Sequence, residues 1–221
     1  MRHRPHLTVI LAMTADGKIA DYLGSAARFG SAHDKAHLEQ QVANADGVLF
    51  GAGTLRAYGT TMSVSNPTLL KSRLTKGKPQ QPLQIVVSAS GNLDPQWRFF
   101  QQPVPRWLIT TSENNARWSE HFDRIIVADR LDARINWTVT LQQLFQLGLN
   151  NLAVLGGGEL VASLLAVEAL DELWLTLCPV IFGGMAPTPV GGQGWIQSNS
   201  KKLRLLEVRQ IEQELFLHYS F

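Results

Sequence analysis

Short apolar runs alternate with segments of helical periodicity along this chain of 221 residues, and this alternation limits the folds that it can adopt. The first run, Leu7 to Met13, is rich in β-branched and large apolar residues and ends in the turn-forming sequence Thr14-Ala15-Asp16-Gly17-Lys18. Ser31 is placed to cap a helix over about 32–45. Strands that alternate with helices are typical of α/β domains built on a largely parallel sheet. We therefore expect an α/β fold with a central, mostly parallel sheet.

The same patterns predict the other elements. Gly59 to Pro82 is polar and marked by glycine and proline, so it is predicted to be a long loop. The tail alternates between apolar and polar residues, which predicts a C-terminal antiparallel strand. The other strands are expected at 47–50, 85–88, 107–110, 124–127, 152–155 and 173–177, and the other helices at 139–147 and 159–167.

Composition and charge exclude several classes of protein. Cys178 is the one cysteine, which excludes an internal disulfide framework and a cysteine-rich zinc site. The formal charge of +2 gives no support for binding to nucleic acid or to a membrane surface, and no nucleic-acid module signature occurs. No apolar run approaches the length of a membrane span, and no signal-type segment follows the first residues. We expect a cytoplasmic protein and, without a repeat or linker, a single domain over 1–221.

A triple glycine at Gly156-Gly157-Gly158 lies between a predicted strand and a predicted helix. Glycines let a phosphate approach the backbone, and the helix start offers unpaired N–H groups. The spacing matches neither the dinucleotide-binding fingerprint nor a P-loop. The residues alone therefore leave phosphate binding and an ordinary tight connection equally open.

Gly51-Ala52-Gly53-Thr54 repeats this arrangement at the end of another predicted strand. Thr54 supplies a hydroxyl close to a predicted helix start, where an anion can bind. Threonine is also a routine helix cap. Two such sites in one domain favour a ligand with more than one phosphate, and a dinucleotide is the natural candidate.

Charge is unevenly distributed along the chain. Residues 47–93 contain no Asp or Glu but include five cations, which are Arg56, Lys71, Arg73, Lys76 and Lys78. A solvated basic loop explains this stretch, and so does a surface that attracts the 2′-phosphate of NADPH. Ser88 and Ser90 follow a predicted strand and have hydroxyls that can bond the same phosphate.

Two further groups of residues are candidates for chemistry. Asp16 and Lys18 follow the first strand, where ligands of α/β proteins commonly bind, although a surface turn has the same composition. His33, His37 and Glu39 suggest a metal site, but the sequence lacks H-E-x-x-H and the P-C-x-x-C half of a zinc deaminase. We predict no metal.

Several motifs in order resemble the reductase domain of bacterial riboflavin-biosynthesis deaminase-reductases. The resemblance runs from about 4 to 221, and it is specific as an ordered set. Its motifs are Arg4-Pro5-His6-Leu7, Ala12 to Ala20, Phe29-Gly30-Ser31, Ala45 to Thr54, Leu155 to Gly158, Leu170 to Leu173 and Pro179 to Gly184.

The resemblance implies a dihydrofolate-reductase-like, three-layer fold that forms a homodimer and binds NADPH. It implies a single reductase domain without the deaminase domain, and reduction of 5-amino-6-(5-phosphoribosylamino)uracil at C1 of the ribosylamine. Asp16 and Lys18 fall at the nicotinamide and substrate end. The positions that resemble or adjoin cofactor contacts are Ala12, Gly51, Thr54, Ser88, Gly156, Gly157, Gly158, Glu159 and Leu160.

Three positions depart from the family pattern. Tyr58-Gly59-Thr60 stands where the family usually has two Asp residues and a Pro, Leu155 stands in place of a Glu, and Val42 in place of an Arg. Because these positions usually contact substrate, two alternatives stay open. One is a reductase of another small heterocycle such as a pterin, and the other is a nucleotide-binding dimer without catalysis.

Overall fold

The computed structural model describes residues 3–111, 115–131 and 134–221. Five α-helices are described: α1 Ala32–Asn44, α2 Ala52–Tyr58, α3 Pro67–Thr75, α4 Trp137–Gln146 and α5 Gly158–Ala166. The strands are β1 His6–Thr14, β2 Gly47–Gly51, β3 Leu83–Val87, β4 Arg106–Thr110, β5 Arg124–Val127, β6 Arg130–Leu131, β7 Arg134–Ile135, β8 Asn151–Val154, β9 Glu172–Cys178, β10 Arg204–Ile211 and β11 Glu214–Ser220.

The chain divides into two compact units. The first comprises the residues up to His6 together with Glu39–Ala153, and the second comprises Leu7–Leu38 and Val154–Phe221. We describe each unit by itself. The expectation of one domain over 1–221 stays a prediction.

The first unit is built on parallel strands. Its strands lie in the order β8-β2-β3-β4-β5, and the pairs β2–β3, β3–β4 and β4–β5 are parallel. β2 is apolar on both faces, with Val48, Leu49 and Phe50 all buried. Such continuous burial is expected of a central parallel strand. Gly51 pairs with Val87, so α2 and Ser88 begin at the same edge of the sheet.

The second unit contains the antiparallel part of the sheet. β1 pairs with β9 in parallel, and β9, β11 and β10 follow as antiparallel neighbours. The register joins Thr14 to Cys178, so the segments after β1 and β9 leave the sheet side by side. α5 buries Leu160, Val161, Ala162, Leu164 and Leu165, in agreement with its nearly all-round apolar sequence. The predicted α/β class, with a mostly parallel sheet and antiparallel C-terminal strands, is confirmed.

The predicted loop over 59–82 is wrong in its middle, because α3 lies there. Asn66 caps this helix by accepting the amide of Thr68 at 2.9 Å, and Pro67 occupies its first position. Proline suits that position because its fixed φ is helical and the missing N–H would have had no partner. Proline and asparagine therefore mark a helix start here rather than a continuous loop.

The sequence interpretation also misses β10. All its residues but one are exposed, so its sequence carries no alternation between a buried and a solvated face. Its partner β11 does alternate, but the buried positions are Glu214 and Phe216, whereas the apolar Leu215, Leu217 and Tyr219 are half-buried. None of the described helices is long and apolar enough to cross a membrane.

Candidate functional site

The turn after β1 is held together by Thr14 and Asp16. The Thr14 hydroxyl donates to Asp16 Oδ1 at 2.5 Å and accepts the amide of Lys18 at 2.9 Å. Asp16 also accepts two backbone amides from the segment after β9, from Phe182 at 3.2 Å and from Gly183 at 2.7 Å. The carboxylate is therefore an anchor between two segments at the carboxyl edge of β1 and β9.

These hydrogen bonds keep Asp16 ionised. The Thr14 hydroxyl, followed by the amides of Gly183 and Phe182, lowers the pKa of this exposed carboxyl below its ordinary value, against an opposing effect of desolvation. Hydrogen bonds to the charged form of an acid stabilise that form. Asp16 is thus not the source of a proton near neutral pH, and it offers a fixed negative charge at the place where we expect substrate.

Lys18 lies on the same turn and is half-buried. Its backbone amide and carbonyl both bond to Thr14, so the position of its Cα is fixed. Within the described ranges, its ammonium group has no hydrogen-bond or ion-pair partner in the protein. A cation on an ordered turn that is left without an internal partner suits an anionic group on a ligand.

The triple glycine forms the entry to α5. Gly156 has a φ of 92°, Gly157 is the N-cap without a side-chain cap, and the peptide bond that joins them is cis. A Cβ on Gly158 would lie 2.5 Å from the carbonyl oxygen of Thr188, so that position has no room for a side chain. The first amides of a helix have no acceptor within it, and here no side chain caps them. Uncapped amides of this kind can donate to an anion.

Glu159 is an acidic residue in this first turn, where its charge would oppose an anion. Its Oε1 atom accepts the amide of Gly192 at 2.8 Å, and the amide of Gly191 donates to the carbonyl of Gly158 at 3.0 Å. The Glu159 side chain therefore holds the 188–192 segment beside the helix start. The backbone of Glu159, rather than its carboxylate, is what a cofactor phosphate can use.

The first unit has a second helix start of similar chemistry. Gly51 is the N-cap of α2 without a side-chain cap, and the first turn contains no acidic residue. Thr54 lies in that turn and is half-buried, whereas a Cβ on Gly53 would meet nothing within 4 Å. Ser88 follows β3 and is 5% exposed, with its amide bonded to the carbonyl of Ile109. Ser88 directly follows β3, whereas Thr54 is the third residue of α2 and not its cap.

Two of the five cations expected to attract phosphate are used inside the protein. Arg73 is 1% exposed and donates to the carbonyls of Pro79, Ala43 and Ala45. Lys78 pairs with Asp46 at 2.7 Å. Arg56, Lys71 and Lys76 are exposed. The predicted basic surface therefore loses two members, because the sequence does not distinguish a buried arginine from a solvated one.

The residues considered for a metal site serve other contacts. His37 packs against the rings of Trp174 and Phe216, at 4.6 and 5.3 Å between centroids. Glu39 accepts the amides of Ser65 and Asn66 at 2.5 and 2.7 Å, which fixes the chain before α3. Neither side chain points to metal chemistry in these surroundings.

The three departures from the family pattern occupy different environments. Val42 is fully buried in α1, so it does not reach a ligand in this fold. Leu155 is half-buried before the glycines, and Tyr58 is exposed at the end of α2. Only the last two are therefore open to a ligand.

The sequence interpretation assigned no role to Phe29, Phe182 or Gly183, although all three lie within quoted motifs. Phe182 and Gly183 bond to Asp16, and the ring of Phe182 contacts that of Phe29 at 5.4 Å. The repeated glycines at 183 and 184 were the available signal, since both adopt positive φ.

Comparison with known proteins bears on the family and the fold of this chain. The family model described as the RibD C-terminal domain matches residues 5–217. A 2,5-diamino-6-ribosylamino-4(3H)-pyrimidinone 5′-phosphate reductase of Archaeoglobus fulgidus is 27% identical over 213 residues, which is 94% of this chain and 94% of that protein.

Two solved structures share the fold. A deaminase and 5-amino-6-(5-phosphoribosylamino)uracil reductase of Thermotoga maritima has a TM-score of 0.79 at 21% identity, and the match covers 98% of this chain but 56% of that one. Dihydrofolate reductase of Enterococcus faecalis has a TM-score of 0.51 at 13% identity, over 97% of this chain and 95% of that one. The predicted dihydrofolate-reductase-like fold is confirmed, and the chain belongs to the RibD C-terminal domain family.

Proposed function

We propose that this protein is an NADPH-dependent reductase of a phosphorylated ribosylaminopyrimidine in riboflavin biosynthesis. The observation that carries the proposal is the glycine-lined start of α5, where no side chain caps the first amides and the Glu159 carboxylate accepts the amide of Gly192. This helix start belongs to a chain of the RibD C-terminal domain family. Helix starts of this kind bind phosphate groups. The archaeal relative is itself named as a reductase of such a pyrimidine.

NADPH is proposed over NADH because of the exposed cations in the acid-free stretch of the first unit. α2 begins without an acidic residue, and Arg56, Lys71 and Lys76 remain exposed in the acid-free stretch 47–93. The positive charge of these side chains attracts the 2′-phosphate of NADPH, whereas the uncharged 2′-hydroxyl of NADH is not attracted in this way. Ser88 lies at the same sheet edge and has a hydroxyl that can bond the adenosine phosphate.

The reaction is a two-electron reduction of the ribosylamine. When bound, the cofactor supplies a hydride. C1 of the ring-opened ribosylamine accepts it while the attached nitrogen takes up a proton, so the C=N bond becomes C–N and NADP⁺ is released. Lys18 is proposed to bind the substrate at the turn after β1 by facing its phosphate, and ionised Asp16 is proposed to hold that turn at the substrate end of the site. Because Asp16 is ionised, water bound at the turn is the proposed source of the proton.

The identity of the substituent at C2 of the pyrimidine distinguishes two candidate substrates. The archaeal relative is named for the 2,5-diamino compound. The solved Thermotoga protein is named for the uracil that carries oxygen at that carbon. We propose the uracil as the substrate, and the diamino compound is the direct competitor.

Oxidation of the nicotinamide cofactor followed at 340 nm tests both assignments. The purified protein is incubated with each pyrimidine phosphate and with NADPH or NADH, and dihydropterin is included as a third acceptor. We expect turnover with a pyrimidine and a lower KM for NADPH than for NADH. Equal weak use of the two cofactors would overturn the cofactor assignment, and turnover of the pterin alone would overturn the substrate.

A homodimer in the cytoplasm completes the proposal. β10 exposes Leu205, Leu206 and Val208 at an edge of the second unit's sheet. An exposed apolar edge strand is a common interface between copies of a chain. The free thiol of Cys178 suits a reducing compartment.

A further inference from the structure

The segment after β9 is fastened to the turn after β1 by three hydrogen bonds. The amide of Ala15 donates to the carbonyl of Val180 at 2.8 Å, and the amides of Phe182 and Gly183 donate to the two carboxylate oxygens of Asp16. Asp16 is fixed in turn by the hydroxyl of Thr14. Polar contacts, rather than burial of apolar side chains, therefore set the course of the backbone from 180 to 183.

This backbone holds an aromatic ring at the surface. The ring of Phe182 meets the edge of the Phe29 ring, with centroids 5.4 Å apart and planes at 87°, yet the residue remains 41% exposed. Gly183 and Gly184 both have positive φ, so the chain turns sharply after Phe182. A large apolar ring that stays exposed while hydrogen bonds fix its backbone can pack against a ligand.

The Phe29 side of this pair is fixed as well. Two residues later, the amide and hydroxyl of Ser31 donate to the carboxylate of Glu214 at 2.8 and 2.6 Å. Glu214 is 5% exposed, on β11. Both rings of the pair therefore extend from chain segments that are anchored to buried or ionised carboxylates of the same unit.

We propose that Phe182 is a specificity-determining residue whose ring, with that of Phe29, forms an aromatic wall for the pyrimidine of the substrate, and that Asp16 is the residue that positions this wall. The inference rests on the function proposed above. A planar heterocycle packs well on an aromatic side chain, and nucleic-acid bases do so without regard to sequence. The ammonium group of Lys18, which has no partner among the described residues, lies on the turn that Asp16 anchors and complements the phosphate of that same substrate.

Steady-state kinetics of three variants test the wall. Phe182→Leu keeps an apolar side chain but removes the ring, and Phe182→Tyr keeps the ring. Ile181→Ala is the matched control, since Ile181 is 75% exposed and its neighbour in sequence, and it belongs to no ring contact. We expect Phe182→Leu to raise the KM for the pyrimidine about tenfold, as for loss of one base–aromatic contact. The KM for NADPH should change less than twofold. Phe182→Tyr should raise the KM for the pyrimidine less than Phe182→Leu does, and Ile181→Ala should resemble wild type.

Asp16→Asn distinguishes a positioning role from a merely structural one. An amide in place of the carboxylate turns a donor toward one of the two backbone amides, so the wall should lose its fixed place. We expect a higher KM for the pyrimidine, and no further increase when Asp16→Asn is combined with Phe182→Leu. Additive effects in the double variant would overturn the positioning role.

The same assay separates this inference from the proposed function. Turnover by the wild type with an unchanged KM in Phe182→Leu would overturn the wall alone. An equal change in Ile181→Ala would also overturn it, because the effect would then belong to the segment and not to the ring. Absence of both turnover and calorimetrically detected binding of the pyrimidine by the wild type would overturn the function and the wall together.

Discussion

His37 shows at the scale of one residue how a motif with metal-binding composition serves packing. Its ring contacts those of Trp174 and Phe216, and its Nε2 atom is buried without a hydrogen-bond partner among the described residues. Burial, and then the charge of Arg209, lowers the pKa of His37 from 6.5 to about 4. The folded protein therefore holds this histidine in its neutral form, whereas the unfolded chain protonates it near its ordinary value.

This lowered pKa predicts a specific loss of stability in acid. The stabilisation that depends on neutral His37 is fully present above pH 6.5 and is lost as the pH falls toward 4. His37→Phe keeps the ring contacts and removes the titration. We expect its free energy of unfolding in urea to fall less than that of wild type between about pH 7.5 and pH 5.

His33→Gln is the matched control for this experiment, because His33 lies on the same helix but is exposed. It should retain the acid sensitivity of the wild type. The assignment to His37 would be wrong if the two variants lost equal amounts of stability over this range.

Individual residue environments were the least predictable part of the molecule. Arg73 and Lys71 are two positions apart in the same acid-free stretch, yet the first is buried among backbone carbonyls and the second is exposed. Helical geometry turns residues at this spacing toward different sides, and no composition count contains that information. The sequence therefore identified a basic stretch but not which of its cations face solvent.

Helices and strands were more predictable than individual residue environments, because the spacing of their buried apolar residues follows the period of the element. Buried strands such as β2 read as continuous apolar runs, and α5 reads as a helix that is apolar nearly all round. The failures have a physical cause: α3 starts with residues that are also common in loops, and β10 has no buried face. The glycine turn was identified from sequence, whereas its packing against the 188–192 segment depends on tertiary approach.

That close approach predicts the effect of a methyl group at the start of α5. A Cβ on Gly158 would lie 2.5 Å from Thr188 O and 3.0 Å from Gly191 N, so Gly158→Ala must displace the 188–192 segment. Alanine ordinarily stabilises a helix relative to glycine by up to about 1 kcal/mol. We expect the opposite sign here, with a lower free energy of unfolding and a higher KM for NADPH.

Gly53→Ala supplies the comparison within α2, because a Cβ there meets no atom within 4 Å. Its stability should be equal to or above that of wild type, as measured by urea denaturation. A stabilised Gly158→Ala variant would show that the segment yields without cost, and the argument from close packing would be wrong.

The two edges of the sheets differ in a way that bears on assembly of the whole molecule. β10 and β5 are both edge strands, and each exposes a valine: Val208 is 54% exposed and Val127 is 50% exposed. Beside Val208, however, lie the exposed Leu205 and Leu206, whereas β5 has only the one large exposed apolar residue. Three large exposed apolar residues on one edge strand favour an interface more than a single exposed valine does.

We therefore expect the proposed homodimer to form through β10. Sedimentation velocity measures the oligomeric state that tests this expectation. We expect the wild type to sediment as a dimer and Val208→Lys as a monomer, because the interface would have to bury an ammonium group without a partner. Val127→Lys introduces the same charge on an equally exposed valine and should remain dimeric. A monomeric wild type, or dissociation of both variants alike, would contradict the assignment of the interface to this strand. Thermal unfolding of Val208→Lys should match that of Val127→Lys. Loss of the dimer in the first variant without a change in its thermal unfolding would show that the β10 face acts in assembly and not in folding of the chain.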